Sequence, residues 1–144
     1  MSMTTMRSVL AVLLGGFLGV TNSANALFIV SVEDVWMFEV ACHANRVDFY
    51  TASGSLLGRA EGGRLMSASG SEEGNIRNCK AIYDRSGRLL ARRDDDRYYL
   101  ANGSFLGRIE RGQFYSASGS MVLRLQQNAL DDASGRLLAR YNIQ

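Results

Sequence analysis

Apolar and polar positions alternate in short bursts along most of this chain, and the bursts recur. From Phe49 onward the repeating unit reads apolar, aromatic, three small or polar residues, glycine, one residue, two apolar residues, glycine or alanine, arginine, with departures in single copies. Tyr98-Tyr99-Leu100-Ala101-Asn102-Gly103-Ser104-Phe105-Leu106-Gly107-Arg108-Ile109 is one copy. The central glycines are Gly54, Gly70, Gly87, Gly103, Gly119 and Gly135, separated by 16, 17, 16, 16 and 16 residues. A period this regular identifies a repeat architecture.

Glycines and turn residues interrupt the pattern too often for a helix, so the units read as β-hairpins. Asp84-Arg85-Ser86-Gly87 and Asp132-Ala133-Ser134-Gly135 suit a type I turn closed by a glycine bulge, with aspartate bonding its own backbone and glycine free to take a positive φ. A second set of polar turns lies between units: Glu61-Gly62-Gly63-Arg64, Asp94-Asp95-Asp96-Arg97, Glu110-Arg111-Gly112-Gln113 and Gln126-Gln127-Asn128-Ala129. They are short enough for antiparallel neighbours. The expected fold is therefore all-β. About twelve short strands form six β-hairpin repeats of about 16 residues in a compact pseudo-cyclic array, because a single hairpin buries too little to stand alone.

The second copy departs from the pattern. Glu72 and Glu73 replace its two leucines, an extra residue follows, and Cys79 falls in the connecting turn. Regular packing is expected to break there.

Residues 27–48 precede the repeats. Leu27-Phe28-Ile29-Val30 reads as a strand, whereas Val35, Trp36, Glu39, Val40, His43, Ala44 and Val47 fall at helical spacing. A short helix over Asp34 to Arg46, with Asp34 as its cap, or a mixed, irregular segment is preferred over a strand. This segment is expected to close or cap the repeat domain, 49–144. Residues 1–26 have the anatomy of a signal peptide. Arg7 precedes an apolar run from Val9 to Val20, and the polar stretch Thr21-Asn22-Ser23-Ala24-Asn25-Ala26 ends in an Ala-x-Ala cleavage site. An uncleaved N-terminal anchor is the alternative. Cleavage after Ala26 would leave 144 − 26 = 118 residues, none of them in a segment apolar enough to span a membrane as a helix. The expected location is secreted or periplasmic.

That compartment makes a Cys42–Cys79 disulfide the leading reading, with two buried thiols as the alternative. Without Arg7, the remaining 15 basic residues face 14 acidic ones, a balance that argues against a general polyanion or nucleic-acid binder. No phosphate loop, zinc pattern or nucleophile elbow is present, and no cofactor, metal or catalytic residue is expected.

The candidate binding residues come from the repeat itself. Arg59, Arg92, Arg108, Arg124 and Arg140 occupy one position in five units, with Asn75 in the second. On a cyclic array they would form a ring able to grip phosphate or carboxylate. Alternatively, each packs its stem on a tyrosine and pairs with an acidic turn residue. Tyr50, Tyr83, Tyr99 and Tyr115 recur four positions before glycine, with Met66 and Asp131 in the other units. They suit sugars or peptides if exposed, or a half-buried cross-strand ladder if not. Asp94-Asp95-Asp96 reads as a solvated turn rather than a calcium site. His43 beside Cys42 lacks the partners of a metal site or nucleophile.

The phrase Tyr83-Asp84-Arg85-Ser86-Gly87-Arg88-Leu89-Leu90 resembles the repeat of bacterial secreted β-flower proteins, in which hairpin petals surround a pseudo-rotational axis, and the likeness extends over Phe49 to Tyr141. It implies a fold of four- or five-fold hairpin repetition and no particular activity. A weaker likeness is to the YD repeats of large surface and toxin shells. The expected function is a non-enzymatic structural or binding module whose partner could be an envelope glycan, an anionic ligand or a protein. The alternative is a small secreted enzyme, or a toxin or inhibitor component, with its site in Trp36 to Arg46 or Glu72 to Lys80.

Overall fold

The computed structural model describes residues 28–144, so the leader reading falls outside the described residues. Twelve strands account for most of it: β1 Arg46–Thr51, β2 Leu56–Glu61, β3 Arg64–Ser67, β4 Glu72–Arg77, β5 Ala81–Asp84, β6 Leu89–Asp94, β7 Arg97–Leu100, β8 Phe105–Glu110, β9 Gln113–Ser116, β10 Met121–Gln126, β11 Ala129–Asp132 and β12 Leu137–Ile143. Each pairs antiparallel with its neighbours in sequence, and β12 returns to β1, closing a barrel. Closure removes every free edge, the feature that otherwise invites aggregation of short hairpins.

The two ends of the barrel carry different turns. At one end lie the glycine turns. In each, the residue three before glycine accepts the glycine N–H and donates its own N–H to the residue after it, as in Gly54 N–H to Thr51 O at 3.0 Å and Thr51 N–H to Ser55 O at 2.8 Å. The six glycines have φ between 90° and 100°, which residues with a Cβ adopt only under strain. Asp84 Oδ1 accepts from Ser86 N, Ser86 Oγ and Arg88 N, as the sequence predicts. The opposite end carries the polar turns between β2 and β3, β4 and β5, β6 and β7, β8 and β9, and β10 and β11.

The second copy corrects one expectation. β4 pairs with β3 through the same bulge as the other units and with β5 in unbroken register, so packing is not broken. Glu73 takes the buried second-leucine position and is held by Arg85 at 3.1 Å, while exposed Glu72 pairs with Arg64 at 3.1 Å. The extra residue is absorbed in the turn after β4, where Asn78 and Cys79 both adopt positive φ.

Strand alternation assigns the two faces. Phe49, Leu65, Ile82, Tyr98, Phe114 and Leu130 occupy one equivalent inward position and are all at most 2% exposed. Their cross-strand neighbours are Gly58, Gly74, Ala91, Gly107, Leu123 and Ala139, small in five of six cases. Twelve strands with this many small inward residues enclose more space than their own side chains fill.

The N-terminal segment fills that space. A 3-10 turn, Val32–Asp34, leads into helix α1, Trp36–Ala41, and every residue from Val32 to Ala41 is buried. A six-residue helix buried all round draws its stability from packing rather than propensity. Trp36 stands edge-on to Phe49 with ring centroids 5.4 Å apart. The segment runs through the barrel from the glycine-turn end, where Phe28 and Val30 are exposed, to the polar-turn end, where Cys42 meets Cys79. It is thus an internal plug rather than an external cap.

Three local expectations are corrected. Residues 28–30 form no strand, and the helix is confined to Trp36–Ala41 because Asn45 already accepts the Gly62 N–H and Arg46 begins β1. Asp34 does not cap α1. Ser31 caps the 3-10 turn, and Asp34 Oδ2 reaches back to the N–H groups of Val30 and Ser31 at 2.8 and 2.9 Å.

Candidate functional site

The repeat arginines and tyrosines lie on the outer wall, brought opposite one another by register. Arg92 faces Tyr99, Arg108 faces Tyr115, and Arg140 faces Tyr50 across the closing seam; Arg59 faces Met66, and Arg124 faces Asp131. Tyr83 faces Asn75. The tyrosines are half-buried. Both residue types therefore form one belt around the barrel, each pair joining two adjacent units.

Their local partners differ around the circumference. Arg59 donates from Nε to Asp48 Oδ1 at 2.8 Å, with Asp48 almost fully buried. Arg108 lies over the Tyr115 ring at 4.2 Å and also bonds Glu110. Arg92 stands 5.8 Å from the Tyr99 ring centre. At Tyr83, Arg77 supplies the cation missing at Asn75: its guanidinium sits 4.4 Å over the ring from two positions further along β4. Spacing alone did not pick out Arg77, because it breaks the period. Its signal was an arginine two residues after the only unit lacking one.

Inside the barrel, the same periodicity reveals a polar exception. The second inward layer reads Ala60, Ile76, Arg93, Ile109, Leu125 and Tyr141. Arg93 thus points a charge where most units place an aliphatic side chain. Glu39 on α1 meets it, accepting from Arg93 Nε at 2.8 Å and Nη2 at 3.0 Å, and from Tyr98 Oη at 2.5 Å. His43 Nε2 lies 3.2 Å from the second oxygen of Glu39. Burial pushes the Glu39 carboxyl up, but its Arg93, Tyr98 and His43 partners outweigh this and hold it below the ordinary range. Burial first, and then the Glu39 charge, push the Tyr98 hydroxyl well up. The plug is keyed to one unit of the barrel by charge.

Next to this clamp, Cys42 and Cys79 are at disulfide distance, with their Cα atoms 5.3 Å apart. A Cys–His nucleophile needs a free thiolate beside the imidazole; here Cys42 turns to Cys79 and His43 to Glu39. Beside the disulfide, Ala44, Gly62, Ile76 and Asn78 help to line a shallow hollow of about 240 Å³. That is below the usual volume of small-molecule pockets.

Glu33 is buried at 4% exposure, and its Oε2 has no hydrogen-bond partner. Burial, aided by the adjacent Asp34 charge, raises its pKa to about 7. Asp94, Asp95 and Asp96 are exposed, as expected of a solvated turn. Among the described residues, no group of three or more His, Cys, Asp or Glu side chains is placed to hold a metal ion. Comparison of the chain with protein-family models, with curated proteins and with solved structures finds no match.

Proposed function

We propose that this protein is a secreted or periplasmic, non-enzymatic binding module of the bacterial envelope, built from six hairpin repeats and released from a signal peptide after Ala26. The observation that carries this reading is the outer belt of arginines and tyrosines, set opposite one another by strand register around a barrel whose interior is filled by its own chain. A filled interior leaves the outer wall as the large chemically patterned surface. Guanidinium groups grip carboxylates or phosphates bidentately, and tyrosine faces stack on sugar rings or peptide side chains. The likeness of the repeat to β-flower proteins agrees with an architecture that displays a repeated surface. Fold alone assigns no ligand.

The test uses the mature protein exported to an oxidising compartment. Its melting temperature is read against envelope glycans, anionic polymers and divalent ions, since a ligand of the native state raises it by mass action. An upward shift with one class, lost on substituting the repeat arginines or tyrosines, supports the reading. A shift that survives those substitutions places binding elsewhere and refutes it.

A further inference from the structure

The outer belt is not uniform. On one side of the barrel Asp48 holds Arg59, Asp131 stands across from Arg124, and exposed Arg140 faces Tyr50. On the other side, from β4 to β9, three arginines each lie over a tyrosine: Arg77 on Tyr83, Arg92 on Tyr99 and Arg108 on Tyr115. Arg97 adds a fourth cation, directly across from Arg108 on β7 and β8. Like charges opposed across a strand pair are unfavourable without a counter-charge. Glu110 supplies a carboxylate to Arg108, and Asp94 stands directly across from Arg97 on the neighbouring strand β6. Arg77, Arg92 and Arg97 are exposed.

Spacing selects the ligand. The three tyrosines lie on β5, β7 and β9, alternate strands of one sheet, so adjacent Arg–Tyr pairs stand roughly 9–10 Å apart around the wall. An extended polysaccharide that alternates an acidic and a neutral sugar presents its carboxylates at about that interval, with a sugar face between them. A single-stranded nucleic acid presents phosphates more closely, and it wants aromatic faces free to stack with bases. Here the tyrosine faces already carry guanidinium groups. Arg77 and Arg92 are exposed over those faces, Arg108 shares its donors with Glu110, and the exposed Phe105 lies beside Tyr99.

We propose that the β4–β9 wall binds an acidic polysaccharide with one carboxylate per disaccharide, through Arg77, Arg92 and Arg108 and the tyrosines beneath them. This rests on the reading of the chain as a binding module and names its ligand and its face. It also gives Arg77 a role: it restores the cation that Asn75 omits.

The test is calorimetric titration of the mature, disulfide-bonded protein with hyaluronate, an alternating glucuronate–N-acetylglucosamine polymer. Neutral dextran and polyglutamate are the controls. The expected result is binding of hyaluronate alone, with affinity falling at least about tenfold in the R77Q/R92Q/R108Q variant, since charge-assisted bidentate bonds are lost. The R88Q/R111Q/R136Q variant, which removes the same charge from exposed turns outside the belt, should bind as the parent does. Substituting lysine at Arg77, Arg92 and Arg108 keeps the charge and should still lose most binding, because lysine cannot form the planar fork. Equal binding of polyglutamate, or equal loss in both triple glutamine variants, would overturn the proposal in favour of diffuse charge. Failure of hyaluronate while another ligand shifts the melting temperature through the repeat residues would refute this ligand and leave the module reading standing. Failure of every ligand would count against both.

Discussion

Replacing Glu39 by glutamine probes the key between plug and barrel. Glu39 is 5% exposed and takes three hydrogen bonds from Arg93 and Tyr98. Glutamine keeps one acceptor oxygen but turns an NH2 group towards these donors and removes the charge opposite Arg93. Breaking one partner of a fully buried ion pair costs about 3–5 kcal/mol. The Arg93 side chain retains 22% exposure and can recruit water, so the expected loss is about 2–4 kcal/mol. Urea unfolding at pH 7, with an unchanged m-value, measures it. The combined variant Glu39→Met, Arg93→Ile and Tyr98→Phe makes this unit resemble those carrying Ile76, Ile109, Phe49 and Phe114. It should recover stability to within about 1 kcal/mol of the parent, because a well-packed apolar replacement of a buried pair is often neutral. Its cost should appear in specificity: the plug then meets similar apolar walls in several rotational settings, and with Cys42 and Cys79 reduced the Trp36 indole should give multiple NMR signals. A loss below about 0.5 kcal/mol for Glu39→Gln, the level of an unremarkable surface change, would refute the clamp.

Three further outcomes follow from individual sites. Gly107→Ala should destabilise by more than about 2 kcal/mol, whereas Gly103→Ala should cost about 1 kcal/mol, because both have positive φ but a Cβ on Gly107 would lie 2.2 Å from the Tyr115 carbonyl oxygen and 2.8 Å from Val32 Cβ, while Gly103 faces open space; thermal melts compare them. Glu33→Gln should raise the unfolding midpoint at pH 8, and the gain should fade towards pH 4.5. The folded pKa of about 7 lies above the ordinary 4.5, so the native state holds the extra proton in this window and parental stability falls as pH rises through it; urea midpoints across pH check the sign. Replacing Cys42 and Cys79 with serine should cost roughly 3–4 kcal/mol on the chain-entropy model, for a bridge spanning 37 residues. A non-reducing gel should show the parental link, and denaturant titration the loss.

Much of the architecture was legible along the chain because it is local. Glycines at a fixed period, aspartates two before serine and short polar turns specify where strands stop, and stopping a strand requires only neighbouring residues. The all-β class, the twelve strands and the glycine-bulge turns all follow from such signals, and the expected pairing of Cys42 with Cys79 agrees with their approach. Tertiary structure alone decided what depends on residues far apart in sequence. The helical spacing around Trp36 could indicate a buried helix but not where it would be buried; closure of β12 on β1 created the interior that receives it. Glu73 looked like a break in the pattern until Arg85 was placed beside it. Nothing along the chain distinguishes Arg93, because an inward charge is recognisable only when its partner, Glu39, 54 residues earlier, is brought into reach. Arg77 stood outside the repeat until strand pairing set it over Tyr83. The sequence, then, determined the hairpin units, whose turns are chosen by local backbone chemistry; the fold determined which charges meet, since burial and pairing belong to the closed barrel and not to any one unit.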